Sequence, residues 1–158
     1  MSAVALVVRR VIRAGAQPLF DAWTRPELLR SWWGPRPVRC SGAEVDLRVG
    51  GKYRIVNALP NGGTITIEGE FEAVEPPHRL VYTWRTNPGG GDTERVTVRF
   101  EPRGGETTEV IVVHEQIATD AVRRSHEDGW IGCLDGLERH VDAAPHPREA
   151  SGADRPED

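Results

Sequence analysis

The spacing of apolar residues switches between the two-residue period of a strand and the 3.6-residue period of a helix, and each switch marks an element. Residues 6–12 are rich in β-branched side chains and predict a first strand. Pro18-Leu19-Phe20-Asp21-Ala22-Trp23 reads as a short helix with proline in its first turn. Thr24-Arg25-Pro26-Glu27 has the spacing of a capping box and opens a second helix. Within it Leu28 pairs with Trp32 and Leu29 with Trp33, four residues apart, until Gly34-Pro35 stops it.

Between residues 37 and 116 the period returns to two. Apolar positions alternate around Ala43, Val45 and Leu47, then Tyr53, Ile55 and Asn57, then Ile65, Ile67, Gly69 and Phe71. They continue with Leu80, Tyr82 and Trp84, with Val96, Val98 and Phe100, and with Val110, Val112 and His114. Turn residues separate the runs: Gly50-Gly51, Asn61-Gly62-Gly63, Pro76-Pro77, Pro88-Gly89-Gly90-Gly91 and Gly104-Gly105. Six consecutive runs joined mostly by short turns predict an antiparallel meander.

The last element, 120–141, is helical. His126, Trp130, Cys133, Leu134, Leu137 and Val141 share one side, while Glu127, Asp128, Asp135, Glu138 and Arg139 fall largely opposite. Such a stripe needs a partner surface, and the meander is the large one available. The expectation is an α+β domain over residues 1–142, with a curved antiparallel sheet gripping one long C-terminal helix. Residues 143–158 hold three prolines and no large apolar side chain, so they predict a disordered tail.

A length of 158 residues suits one domain. The net charge is −4, and Asp142, Glu149, Asp154, Glu157 and Asp158 against Arg148 and Arg155 place most of it at the C-terminal end. The remaining body is near neutral and carries no basic run, which argues against nucleic acid. The apolar run 3–8 is too short for a signal-peptide core and no basic stretch precedes it, and nothing approaches a membrane span. Cys40 and Cys133 staple no short loop and form no Cys-x-x-Cys pair, so reduced thiols in a cytoplasmic protein are expected.

Several short pieces occur in a telling order: Phe20-Asp21-Ala22-Trp23-Thr24, Trp32-Trp33-Gly34-Pro35, and Asp46-Leu47-Arg48-Val49-Gly50-Gly51. Gly69-Glu70-Phe71, Glu75-Pro76-Pro77 and Arg79-Leu80-Val81-Tyr82-Thr83-Trp84 follow, then Val96-Thr97-Val98, Val112-Val113-His114-Glu115 and Gly129-Trp130. Over residues 6–141 this resembles the family named for the C-terminal domain of the activator of Hsp90 ATPase. That family lies within the START-like (SRPBCC) helix-grip superfamily. The resemblance implies a strand, two short helices, six strands and a long helix. Relatives on the wider fold carry lipids, bind plant hormones, sequester antibiotics or cyclise polyketides, and fold alone does not choose among these.

The leading expectation is a binding protein for a small hydrophobic or aromatic molecule, held between the sheet and the long helix. Trp33, Tyr53, Asn57, Tyr82, Trp84, Glu94, His114, His126 and Trp130 are its candidate contacts, with ordinary core packing as the alternative for each. Glu94 has inward parity but is expected at the open rim, since a buried carboxylate needs partners. His114 is either a ligand contact or a satisfied histidine near a strand end. Two histidines without a third ligand at metal spacing make no zinc site, so no metal and no cofactor are expected. Gly129, Gly132 and Gly136 thin one flank of the helix, for close packing or for a ligand. Asp46 and Arg48 are expected to pair at a strand end. The alternatives are a cyclase- or aromatase-like enzyme on the same scaffold, or an Hsp90-type co-chaperone or other protein-interaction module. Subunit count stays open, a homodimer included.

Overall fold

The computed structural model describes residues 4–87 and 93–143. The chain runs β1 (Val4–Ile12), α1 (Ala16–Thr24), α2 (Pro26–Trp32), β2 (Arg39–Val45), β3 (Lys52–Ala58), β4 (Thr64–Glu75) and β5 (Arg79–Asn87). It continues with β6 (Glu94–Gly104), β7 (Thr107–Ile117) and α3 (Asp120–Ala143). The seven strands form one antiparallel sheet in the order β1-β7-β6-β5-β4-β3-β2. The meander is therefore the expected one, and β1 returns to pair with β7 at its end. The expected 88–91 loop and the tail beyond Ala143 lie outside the described residues, and Ala143 itself is the last residue of α3.

Alternation does the sorting. Leu80, Val96, Val98, Phe100, Val110 and Val112 are fully buried on the concave face, where α1, α2 and α3 cover them. The aromatic residues of the helices interlock there: Trp23 stacks on Trp130 at 5.9 Å and meets Phe100 edge-on at 5.8 Å. Arg10 on β1 reaches Glu138 at 2.6 Å and Asp135 at 2.9 Å, tying the outer side of α3 to the sheet edge. Arg48 pairs with Asp46 at 3.0 Å at the end of β2, as the sequence suggests.

The capping box does not form. Arg25 is the N-cap of α2 and makes no side-chain cap bond. The Thr24 hydroxyl instead donates to the Phe20 carbonyl at 2.8 Å, closing the last turn of α1. Thr24 is still helical there, so its side chain points back along α1, and Pro26 in the first turn of α2 has no amide needing a cap.

The glycine flank of α3 divides. A Cβ on Gly136 would lie 2.5 Å from the Trp32 carbonyl oxygen, and one on Gly132 would collide with the Pro35 ring. These two glycines let α3 close onto the end of α2 and the loop after it. Around Gly129 a Cβ would meet nothing within 4 Å. Close packing thus accounts for two glycines, and open space adjoins the third.

Candidate functional site

Strand register brings the polar candidates to one end of the concave face. Trp84 on β5 pairs with Glu94 on β6, and the next inward residue of β6, Val96, pairs with His114 on β7. Inward parity thus places Trp84, Glu94 and His114 side by side. From above, α3 supplies His126 and Trp130, one turn apart on its apolar stripe.

Glu94 Oε1 lies 2.7 Å from His114 Nε2 and 2.9 Å from His126 Nε2. The Trp130 indole N–H donates to His114 Nδ1 at 3.0 Å. These bonds fix the protons. An indole N–H can only donate, so His114 Nδ1 is an acceptor and its proton sits on Nε2, pointing at Glu94. An ionised carboxylate can only accept, so His126 Nε2 also carries a proton, and its Nδ1 makes no hydrogen bond among the described residues. The two imidazoles stack, with centroids 4.3 Å apart and planes at 16°.

The ionisation follows. Burial opposes the charge on Glu94, but hydrogen bonds from His114 and His126 outweigh it and bring the pKa from 4.5 down to about 2. Burial pushes the pKa of His114 below its ordinary value, although Glu94 pulls the other way, so His114 is neutral. The expected rim position of Glu94 is corrected: its side chain is 13% exposed, and two imidazole donors allow a carboxylate to sit there.

Two histidines and a carboxylate within 4.8 Å also invite a metal reading. The geometry argues otherwise. Both Nε2 atoms direct protons, not lone pairs, toward Glu94. Binding at His114 Nε2 would move its proton to Nδ1, against the N–H of Trp130. The 2.7 and 2.9 Å separations are hydrogen-bond lengths, whereas ligands of a tetrahedral zinc stand roughly 3.3 Å apart. The trio is a closed hydrogen-bonded unit that orients His126.

Beside it lies a cavity of about 100 Å³ lined by Trp33, Pro35, Asn57, Ile67, Trp84, Ser125, His126, Gly129, Trp130 and Cys133. Five sequence candidates meet here: Trp33, Asn57, Trp84, His126 and Trp130. Glu94 and His114 stand behind His126 and Trp130. Tyr53 and Tyr82 line no part of this cavity. They border an apolar cleft of only about 20 Å³, where the Tyr53 hydroxyl donates to the Thr83 carbonyl at 2.5 Å and Tyr82 accepts from the Trp23 indole at 3.2 Å. Burial raises the Tyr53 pKa and pushes the Cys133 thiol up to about 12, so Tyr53 and Cys133 stay protonated.

Two residues of the cavity lining, Trp84 and Asn57, each hold a buried polar atom with no hydrogen-bond partner among the described residues: the Trp84 indole N–H and Asn57 Oδ1. Both side chains sit at inward strand positions otherwise taken by core residues. Pro35 and Ile67 on the lining gave no sequence signal, being indistinguishable from core or loop residues.

The trio makes stability acid-sensitive. Between pH 6.5 and the lowered pKa of folded His114, the unfolded chain binds more protons than the native one. The same holds for Glu94 between 4.5 and about 2. Stability should therefore be full above pH 6.5 and fall in two stages on acidification. Urea midpoints measured across this range check it, and Glu94→Gln should shrink the lower stage, to which Glu109 and Asp120 also contribute through their lowered pKa values, while leaving the upper.

The concave sheet, long gripping helix and cavity between them define a START-like, helix-grip protein. The family described as activator of Hsp90 ATPase homolog 1-like protein matches residues 13–142, and the chain belongs to that family. Curated proteins offer no match. Among solved structures, a Chromobacterium violaceum protein is similar at 26% identity and TM-score 0.80, covering 89% of this chain and 98% of that one. A Nitrosomonas europaea protein shows 25% identity and TM-score 0.75, covering 88% and 94%. The AHSA1 protein of Silicibacter pomeroyi, at 23% identity, TM-score 0.78 and coverage of 88% and 98%, shares the fold.

Proposed function

We propose that the chain binds a compact, uncharged aromatic or hydrophobic molecule in the cavity between sheet and α3. One acceptor on the molecule would take the Trp84 N–H, and one donor would face Asn57 Oδ1. The observation that carries this is that two residues lining one cavity, Trp84 and Asn57, each hold an unpartnered buried polar atom. Native proteins pair roughly 90% or more of their buried polar groups, and an unpaired one costs about 1–3 kcal/mol. A ligand that drew the Trp84 donor and the Asn57 acceptor to the cavity surface would satisfy both.

Size limits that ligand. The cavity is about 100 Å³, whereas the pockets that hold drug-sized ligands span about 300–1,000 Å³. A single ring with one polar substituent matches the space; a long acyl chain or a polyketide does not. Both cysteines are free thiols, which supports a reducing, cytoplasmic setting. No helix among the described residues is long and apolar enough to cross a membrane.

A second reading, an enzyme on the same scaffold, is favoured by one observation. Glu94 holds the Nε2 proton of His126, which leaves Nδ1 as the basic nitrogen of a cavity-lining side chain. Such a pair can accept a proton from a bound molecule whose oxygen is held by the Trp84 N–H.

Phenol, which carries a donor and an acceptor on one ring, is the probe. Titration is expected to quench tryptophan fluorescence saturably, and Trp84→Phe, which keeps the ring but loses the N–H, should weaken binding about tenfold. Failure to saturate, or equal affinity in the variant, would count against the reading.

A further inference from the structure

We infer that the groove between α2, the loop into β2 and the last turns of α3 is a second binding site, for a small molecule carrying a phosphate group. The groove has a volume of about 450 Å³ and includes Arg30, Arg36, Arg39 and Arg139 in its lining, with Trp32 and Trp33 in its wall and no carboxylate. None of the four guanidinium groups forms an ion pair among the described residues.

Scarcity of acids does not explain this. The chain has 24 acidic residues against 20 basic ones, and Arg9, Arg10, Arg48, Arg79, Arg95, Arg103, Arg123 and Arg124 find carboxylates, whereas Arg13, Arg25, Arg54, Arg85 and Arg99, like the groove's four, form no ion pair among the described residues. The acids are missing locally: residues 28–43 contain Arg30, Arg36 and Arg39 and no Asp or Glu. Folding then adds Arg139 from α3 to the same groove. A groove on the outer side of the sheet provides the contrast, because Glu44, Glu68 and Glu70 line it together with Lys52, Arg54 and Arg85.

The helix dipole does not account for the charge either. The C-terminal end of α3 brings a partial charge of about −0.5 to this place, which four guanidinium groups far exceed. Four arginines lining one groove without a carboxylate leave the counter-charge to be supplied by a bound anion. Guanidinium forks bind phosphate oxygens in pairs, and a phosphate ester supplies two negative charges in a compact group. The volume falls within the roughly 300–1,000 Å³ of small-molecule sites, which distinguishes this groove from the inner cavity. Trp33 lines both spaces, so a ligand in either is reported by its fluorescence.

The test is calorimetric titration of the full chain with inorganic pyrophosphate at constant ionic strength. Saturable one-to-one binding is expected, weakened about tenfold or more in the double variant Arg36→Gln, Arg39→Gln. The double variant Arg54→Gln, Arg85→Gln, in the mixed-charge groove, should bind as the parent does. All four side chains are exposed, so the fold should survive and circular dichroism confirms it. Absence of saturation, or equal weakening in both variants, would overturn the site. Tighter binding to single-stranded RNA or to anionic vesicles than to pyrophosphate, lost with Arg36 and Arg39, would overturn the small-molecule assignment.

Discussion

Replacing Trp130 with alanine is expected to lower the unfolding free energy by about 3–5 kcal/mol. This side chain is 3% exposed and sits where three groups of contacts meet. It stacks on Trp23 from α1, meets Trp33 edge-on at 5.5 Å, and lies 5.5 Å from Trp84 of the sheet. It also donates the hydrogen bond that sets the tautomer of His114. Trp130→Phe separates the two roles. It keeps most of the ring but leaves His114 Nδ1 buried without a donor, for a loss of about 1–3 kcal/mol. Chemical denaturation of both variants checks this, and a neutral Trp130→Phe would show that the indole does not fix His114.

Alanine should have opposite effects at two glycines of the same helix. Either substitution gains about 1 kcal/mol of helix propensity. At Gly136 the added carbon meets the Trp32 carbonyl oxygen at 2.5 Å. That atom is backbone, so α3 must lift from α2, and overpacking of this kind costs about 1–3 kcal/mol. A net loss is expected. At Gly129 the carbon enters space with no atom within 4 Å, so the propensity gain should appear nearly whole. Thermal midpoints that move in opposite directions support this packing. A fall at Gly129 as large as that at Gly136 would not fit it.

Most of the architecture was legible in the chain because alternation and helical stripes record which face each element buries. The concave face from Leu80 to His114 and the stripe from His126 to Val141 could be read directly. Parity also put Glu94 inward, but it could not supply the partners that hold a carboxylate there. Those come from β7 and α3, and only strand register brings them to one place. Tyr53 and Tyr82 share the parity of Asn57 and Trp84 yet line a different space, because parity fixes a face and not a position along it. The arginine groove escaped for a related reason. Net charge averages over the surface, whereas the acid-free stretch 28–43 becomes a site only when Arg139 folds beside it.

The unpartnered polar atoms of Trp84 and Asn57, two residues of the cavity lining, remain the feature on which the proposed function turns. High-resolution diffraction from crystals of the protein purified from its own host tests it most directly. Density larger than water is expected within hydrogen-bonding distance of both Trp84 Nε1 and Asn57 Oδ1. Ordered waters alone at both atoms, or a protein group bonded to each, would contradict it.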